Sequence, residues 1–188
     1  MKEIEEIVRR ISELAENKER VIVAIDGACA AGKTTLANEL ARAIPAATVF
    51  HADDFFLRPS QRTSERLTEV GGNLDRERFF DEVISRLSSR EEISYRPYDC
   101  HKRELSDTVK VRLESVVIVE GTYSMHPALA DAYDLKIFMD ISESRQRERI
   151  LARDERLHTR FFEEWIPMER KYFSQMRIKE KCDIRIEA

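Results

Sequence analysis

Two kinds of hydrophobic pattern alternate along the chain. In the first, apolar residues run almost without interruption: Val21-Ile22-Val23-Ala24-Ile25, Val116-Val117-Ile118-Val119 and, with one lysine, Leu135-Lys136-Ile137-Phe138-Met139. Such runs predict strands buried on both faces. Thr48-Val49-Phe50-His51 is a shorter strand candidate and Ile184-Arg185-Ile186 a closing one. In the second, apolar positions recur at helical spacing. Ile4, Ile7, Val8, Ile11 and Leu14 predict a helix over about 2–18, and another runs from Lys33 to about Ala43, where Pro45 stops it. Asp75 opens a further helix with Phe79, Phe80, Val83, Ile84 and Leu87 on one face. Two more are expected over about 143–158 and 160–178. Trp165, Met168, Tyr172, Phe173 and Met176 form the buried stripe of the second, which Pro167 kinks or begins. The polar segment 57–72, holding Gly71-Gly72, reads as a loop or mobile flap.

Apolar strands alternating with helices predict an α/β fold with a parallel sheet covered on both faces. In such folds ligands bind outside the carboxyl ends of the strands. Three strands here end in polar chemistry, at Asp26-Gly27, Asp53-Asp54 and Glu120-Gly121. Periodicity alone therefore predicts that these ends lie together.

Composition narrows the class. The 188 residues are 42% hydrophobic and 36% charged, which fits one folded domain with a heavily charged surface. A net charge of −4 disfavours wrapping of long nucleic acid. No apolar run approaches the ~20 residues of a membrane span. Charges interrupt every apolar pair of the first residues, so no secretory signal is read there. Cys29, Cys100 and Cys182 are scattered, odd in number and without metal-ligand spacing, which points to a reducing cytoplasm.

Residues 27–34, Gly27-Ala28-Cys29-Ala30-Ala31-Gly32-Lys33-Thr34, follow the GxxxxGK[ST] pattern between a buried strand and a helix. The glycines let the backbone curl so that its N–H groups face phosphate oxygens, and the helix that follows adds its positive end. Gly27 through Thr35 are thus candidate phosphate-binding residues, with Lys33 as point charge and the Thr34 hydroxyl as a magnesium ligand. Cys29 is read as a small filler of the loop, the alternative being a thiol made reactive by the helix end. Asp53 could accept a proton from an attacking hydroxyl, or Asp53-Asp54 could merely form a turn. Of two adjacent carboxylates, at most one is expected to face the site. Glu120 could hold magnesium or simply solvate a strand end. Arg145, Arg149, Arg153, Arg156 and Arg160 fall within roughly an 80° arc of one helix. That stripe is either a lid facing polyphosphate or a solvated, ion-paired surface.

With these features in place, the chain resembles the uridine kinase and phosphoribulokinase family of P-loop kinases over about residues 20–187. The resemblance rests on IDGACAAGKTT, DDFF, GNLDRERFFDEV, RPYDCH, VEGTY, DLKIFMD and RERILARDE. It implies a P-loop NTPase three-layer α/β/α fold with a parallel five-stranded core sheet and a helical lid. A single kinase domain would span 1–188, with a flap at about 57–72 and an Arg-rich lid at about 143–160. It further implies Mg2+-assisted transfer of the ATP γ-phosphoryl group to a small-molecule hydroxyl. Asp53 matches the family's general base, and Thr34 with Glu120 would hold the metal. Asp75 in Asn73-Leu74-Asp75 matches a ribose-binding Asp, alone or while also capping a helix. Tyr98 and His101 match the acceptor pocket, and Arg149 and Arg153 match the lid best. The family's N-F-D-H-P run is NLDRE here, and Cys100 stands where a stacking aromatic is expected. Both departures fall in the acceptor pocket. The expected acceptor is the 5′-hydroxyl of uridine or cytidine. The rivals are a sugar phosphate or vitamin precursor, for which Arg96, Lys102 and Arg103 would supply charge, and a nucleotide-sensing module without transfer. The expected partners are ATP and that acceptor, with a homo-oligomer left open.

Overall fold

The computed structural model describes residues 2–153 and 155–188. Helix α1 (Lys2–Ala15) buries Ile7 and Ile11 and leads into β1 (Val21–Gly27), which is buried along its whole length. Then follow α2 (Lys33–Ala43), β2 (Ala47–His51) and a 3-10 turn, Ala52–Phe55. The segment 57–72 is not loop throughout. It holds a 3-10 turn, Pro59–Gln61, and a short helix α3 (Ser64–Thr68), capped by Thr63 Oγ1 accepting from the Arg66 N–H at 3.1 Å.

Helix α4 (Arg76–Glu82) starts at Asp75 as expected but stops early, because Val83 leaves helical geometry (φ −123°, ψ −68°). A 3-10 turn, Ile84–Arg86, continues the chain. In an unbroken helix Ile84 would stand one turn above Phe80 and both would face inward. The break carries Ile84 into the core while Phe80 stays 43% exposed, so the expected burial of Phe80 is corrected.

Strands β3 (Glu92–Tyr95), β4 (Tyr98–Asp99), β5 (Glu104–Leu105) and β6 (Val109–Arg112) form two short antiparallel ladders, β3 with β6 and β4 with β5. They build one long hairpin absent from the sequence reading. Strands β7 (Val116–Glu120) and β8 (Leu135–Asp140) follow as expected. Helix α5 (Glu143–Leu151) is capped by Ser142 and ends well before residue 158, which corrects the longer helix. A 3-10 turn, Glu155–Leu157, then α6 (His158–Arg160) and a π-helical stretch, Phe161–Trp165, lead into α7 (Ile166–Gln175), with Pro167 in its first turn. Strand β9 (Ile184–Glu187) closes the described chain.

Five of these strands form one parallel sheet in the order β2-β7-β1-β8-β9. Alternate side chains of each strand face opposite layers. Ile22, Ala24, Phe50, Val117, Val119 and Phe138 join one core, with Phe55, Phe79, Tyr95 and Tyr172. Val21, Val23, Ile25, Ile118, Leu135 and Ile137 join the other, beneath Ile7 and Ile11 of α1 and Leu36 and Leu40 of α2. Two covered faces explain why β1 and β7 read as unbroken apolar runs. Among the described residues no helix is long and apolar enough to cross a membrane.

Candidate active site

The sheet register brings the three polar strand ends together. Glu120 at the end of β7 lies opposite Ile25 of β1 on one side and His51 of β2 on the other. Asp26-Gly27 and Asp53-Asp54 each begin within two residues of that level. Gly27 (φ +145°) must lack a side chain, since a Cβ there would stand 2.1 Å from the Met139 carbonyl oxygen of β8. Gly121 (φ +138°) lets β7 pass beside Ala52, whose Cβ would lie 2.8 Å from an added one.

The loop Gly27–Thr34 connects β1 to the start of α2, with Ala30 (φ 62°) and Gly32 (φ 95°) in the left-handed region. Lys33 folds back over the loop, its Nζ donating to the Gly27 and Ala28 carbonyls at 2.9 Å each. The Thr34 hydroxyl donates to Glu120 Oε1 at 3.0 Å, and the same oxygen contacts His51 Nδ1 at 2.6 Å. That hydrogen bond to Glu120 is the largest cause holding His51 above its ordinary value. Thr34 and Glu120 present hydroxyl and carboxylate oxygens side by side, a donor set that suits Mg2+.

The two aspartates diverge as expected. Asp54 Oδ2 accepts from the Tyr95 hydroxyl at 3.0 Å, while the Asp53 carboxylate makes no hydrogen bond or ion pair among the described residues. Asp53 is open to solvent in a crowded cleft. Protein bulk around it raises its pKa, with Lys33 opposing and Glu120 adding to the rise. Asp75 is buried and fully engaged. It caps α4 through the Arg78 N–H (3.2 Å), and its other oxygen accepts from Gln61 Nε2 of the 57–72 segment (2.8 Å). Tyr98 is half-buried on β4, which lies against the turn Ala52–Phe55. His101 is exposed at the tip of the β4–β5 ladder, its N–H donating to Asp99 Oδ1 at 2.8 Å.

The arginine stripe does not form, because α5 ends at Leu151. Arg145 turns to the Ala188 oxygen at the chain end (2.9 Å), away from the loop. Arg149 donates to the Ala30 carbonyl at 3.0 Å and so touches the phosphate loop directly. Arg153 stands over the Phe161 ring, and Arg160 over Trp165 beside Glu164. Of the two lid arginines expected at the site, the structure brings Arg149 to the loop.

Two residues beside the loop are absent from the sequence reading, and a third takes a different role. Gln146 of α5 donates to the Cys29 carbonyl at 3.1 Å. Glu169 of α7 accepts from the Cys29 N–H at 2.9 Å. Asp26, first read as one of the strand-end carboxylates, is a buried anchor. It accepts from the Gly27, Tyr123 and Met125 N–H groups and from the Tyr172 hydroxyl. Burial chiefly, with the Glu169 charge, pushes the Cys29 thiol up to about 12, opposite to the lowering that a reactive thiol needs. The signal for Glu169 was its place three residues before Tyr172, on the stripe that α7 buries.

A parallel sheet between two helical layers, with this loop at the end of its central strand, defines a P-loop nucleotide-binding protein. The chain belongs to the phosphoribulokinase/uridine kinase family, whose model matches residues 22–163. It is a kinase, transferring phosphate to a hydroxyl group. A uridine kinase of Ureaplasma parvum is 29% identical over 170 residues, covering 85% of this chain and 81% of that protein. Human nicotinamide riboside kinase 2 is 34% identical over 126 residues, 65% of this chain and 53% of that one. Among solved structures, a Bacillus stearothermophilus protein described as a possible uridine kinase superposes with a TM-score of 0.70 at 19% identity, over 96% of this chain and 99% of its own. Phosphoribulokinase from Rhodobacter spheroides gives 0.65 at 14%, over 91% and 71%. These two structures share the fold.

Proposed function

We propose that the chain transfers the γ-phosphoryl group of Mg2+-ATP to the 5′-hydroxyl of a pyrimidine nucleoside such as uridine or cytidine. The observation that carries this reading is the unpartnered Asp53 carboxylate, within electrostatic reach of Lys33, Glu120 and His51. Lys33 leaves the Gly27 and Ala28 carbonyls for the phosphates, and the N–H groups of residues 27–35 cradle them. Thr34 and Glu120 would hold Mg2+, which when bound offsets phosphate charge. Asp53 orients the acceptor hydroxyl and takes its proton. Arg149 swings from the Ala30 carbonyl toward the transferred group, and Arg153 joins it from Phe161. The segment 57–72 and the stretch 143–160 close over the cleft and exclude water. Asp75, Tyr98 and His101 form the acceptor side, with Asp75 released from Gln61. Two of the relatives are named for ribosides, which supports a nucleoside acceptor. The three free cysteines fit a reducing cytoplasm.

One observation favours a second acceptor class. Arg58, Arg96 and Arg103 line a cavity of about 460 Å3 between the 57–72 segment and the β4–β5 ladder. Among the described residues none of the three pairs with a carboxylate, so an anionic sugar would find its counter-charges there. The deciding experiment is ATP-to-ADP turnover with magnesium against nucleosides, sugars, sugar phosphates and vitamin precursors, with Lys33→Ala as blank. Stimulation by uridine or cytidine supports the first reading. Stimulation by phosphorylated sugars alone replaces it with the second. Asp53→Asn is expected to keep ATP affinity and lose transfer by roughly a thousandfold. Normal transfer in that variant would remove Asp53 from the role of base.

A further inference from the structure

The GxxxxGK[ST] pattern leaves the residues between its glycines open, yet here the first half of the loop is tied down from outside. Two side chains far along the chain, Gln146 and Glu169, hold the backbone at Cys29, and Arg149 rests on Ala30 beside them. Gln146 and Arg149, one helical turn apart on α5, take the carbonyls of Cys29 and Ala30. Glu169, buried to 5% exposure on α7, takes the Cys29 N–H. One turn further along α7, the Tyr172 hydroxyl donates to Asp26 at 2.7 Å, directly before the loop. Helix α7 therefore grips the strand-to-loop transition at two points with i, i+3 spacing. Ala30, in the left-handed region at φ 62°, is the residue these bonds enclose. A non-glycine residue held there needs its surroundings to fix it.

We infer that Glu169 is a positioning residue of phosphoryl transfer, its carboxylate setting the loop backbone at Cys29–Ala30 so that the N–H groups beyond it point at the phosphates. It acts through the loop and touches neither substrate. Other charged or titratable groups close to it are Lys33 and Cys29 of the loop, Asp26 of β1 and Tyr123 after β7. Lys33 is the cation among them, and it offsets two buried carboxylates as well as serving ATP. What matters in this role is the reach of an acceptor oxygen to one N–H. A purely electrostatic role would instead need the charge.

The two roles separate in a set of three substitutions. Glu169→Gln keeps length and an acceptor oxygen, Glu169→Asp keeps the charge but draws it back, and Glu169→Ala removes both. Expected ATP dissociation constants with magnesium, read by calorimetry, rise less than about fivefold in Gln and about thirtyfold in Asp and Ala, since small misplacements of binding groups have large effects. Turnover with uridine falls in the same order, with its KM unchanged. This expectation rests on the loop binding ATP. If uridine is not a substrate, the nucleoside reading fails while the order of ATP affinities still decides the role of Glu169. If Glu169→Ala does not fold, the Gln and Asp variants carry the comparison. Asp matching or exceeding Gln, or wild-type affinity in all variants, would overturn the assignment.

Discussion

Asp26 at the end of β1 and Asp53 just beyond β2 are both strand-end carboxylates, and their surroundings assign them different work. Asp26 gives four hydrogen-bond donors one carboxylate, so it ties β1, the loop after β7 and α7 into one unit. Asparagine fits the same space but offers one acceptor oxygen and an NH2 group that faces donors. Asp26→Asn should therefore lower unfolding free energy by about 3 kcal/mol, and Tyr172→Phe by about 1 kcal/mol, in urea titrations. Burial raises Asp26 above the ordinary value of 3.8. The folded chain then holds this proton to higher pH than the unfolded chain. The contribution to stability is thus full below the ordinary value and is lost as pH rises through the raised one. Asp53 is also raised, chiefly by surrounding protein, but it has no donors and stays open to solvent. As a base it must be ionised, so the acid limb of turnover should fall at a pH above 3.8. A pH–rate profile whose acid limb lies at or below that value would exclude Asp53 as the group responsible.

At the scale of elements, the segment 57–72 latches onto the acceptor side through one side chain. Gln61 donates to Asp75 while its carbonyl oxygen accepts from the Arg58 N–H and Nε at 3.0 Å each. If acceptor hydroxyls bind Asp75, they compete with this amide. Gln61→Ala should lower the acceptor KM by about fivefold, the worth of one hydrogen bond, and leave the KM for ATP unchanged. Strong periodicity made the central strands, α1, α2 and the phosphate loop legible in the sequence, because each is fixed by local pattern alone. The hairpin of β3 through β6 was not legible. Its strands are two to four residues long, and Ile93, Tyr95, Val109 and Val111 alternate over too short a span to stand out. The helix expected over 143–158 runs longer than α5 because 152–158 contains neither Gly nor Pro, and Arg153, Glu155, Arg156 and Leu157 suit a helix. Asp53, Lys33, Thr34 and Glu120 could be read from motif and strand ends. Glu169 and Gln146 could not, since their partners are backbone atoms of residues that any small side chain satisfies.

Across the whole molecule, the phosphate loop near the start of the chain is completed by residues from its last third. Cys29 meets Gln146 and Glu169, Ala30 meets Arg149, and Asp26 meets Tyr172, across 117 to 146 residues of sequence. A small apolar cluster of Ala30, Ile150, Phe161 and Ile166 closes the same joint. Contacts from α5 and α7 thus complete the loop in the folded chain. Nucleotide binding should therefore report on the global fold, and a bound nucleotide should stabilise all of it at once. At a Mg2+-ATP concentration one hundred times its dissociation constant, linkage gives about 2.7 kcal/mol, and the melting curve should move as a single transition. Lys33→Ala should abolish that shift. Asp53→Asn should keep it in full, because a base that meets only the acceptor hydroxyl contributes nothing to holding ATP. A shift lost in Asp53→Asn would instead make this carboxylate part of the nucleotide and metal site, and would leave Asp54, now bonded to Tyr95, as the carboxylate to test for the acceptor.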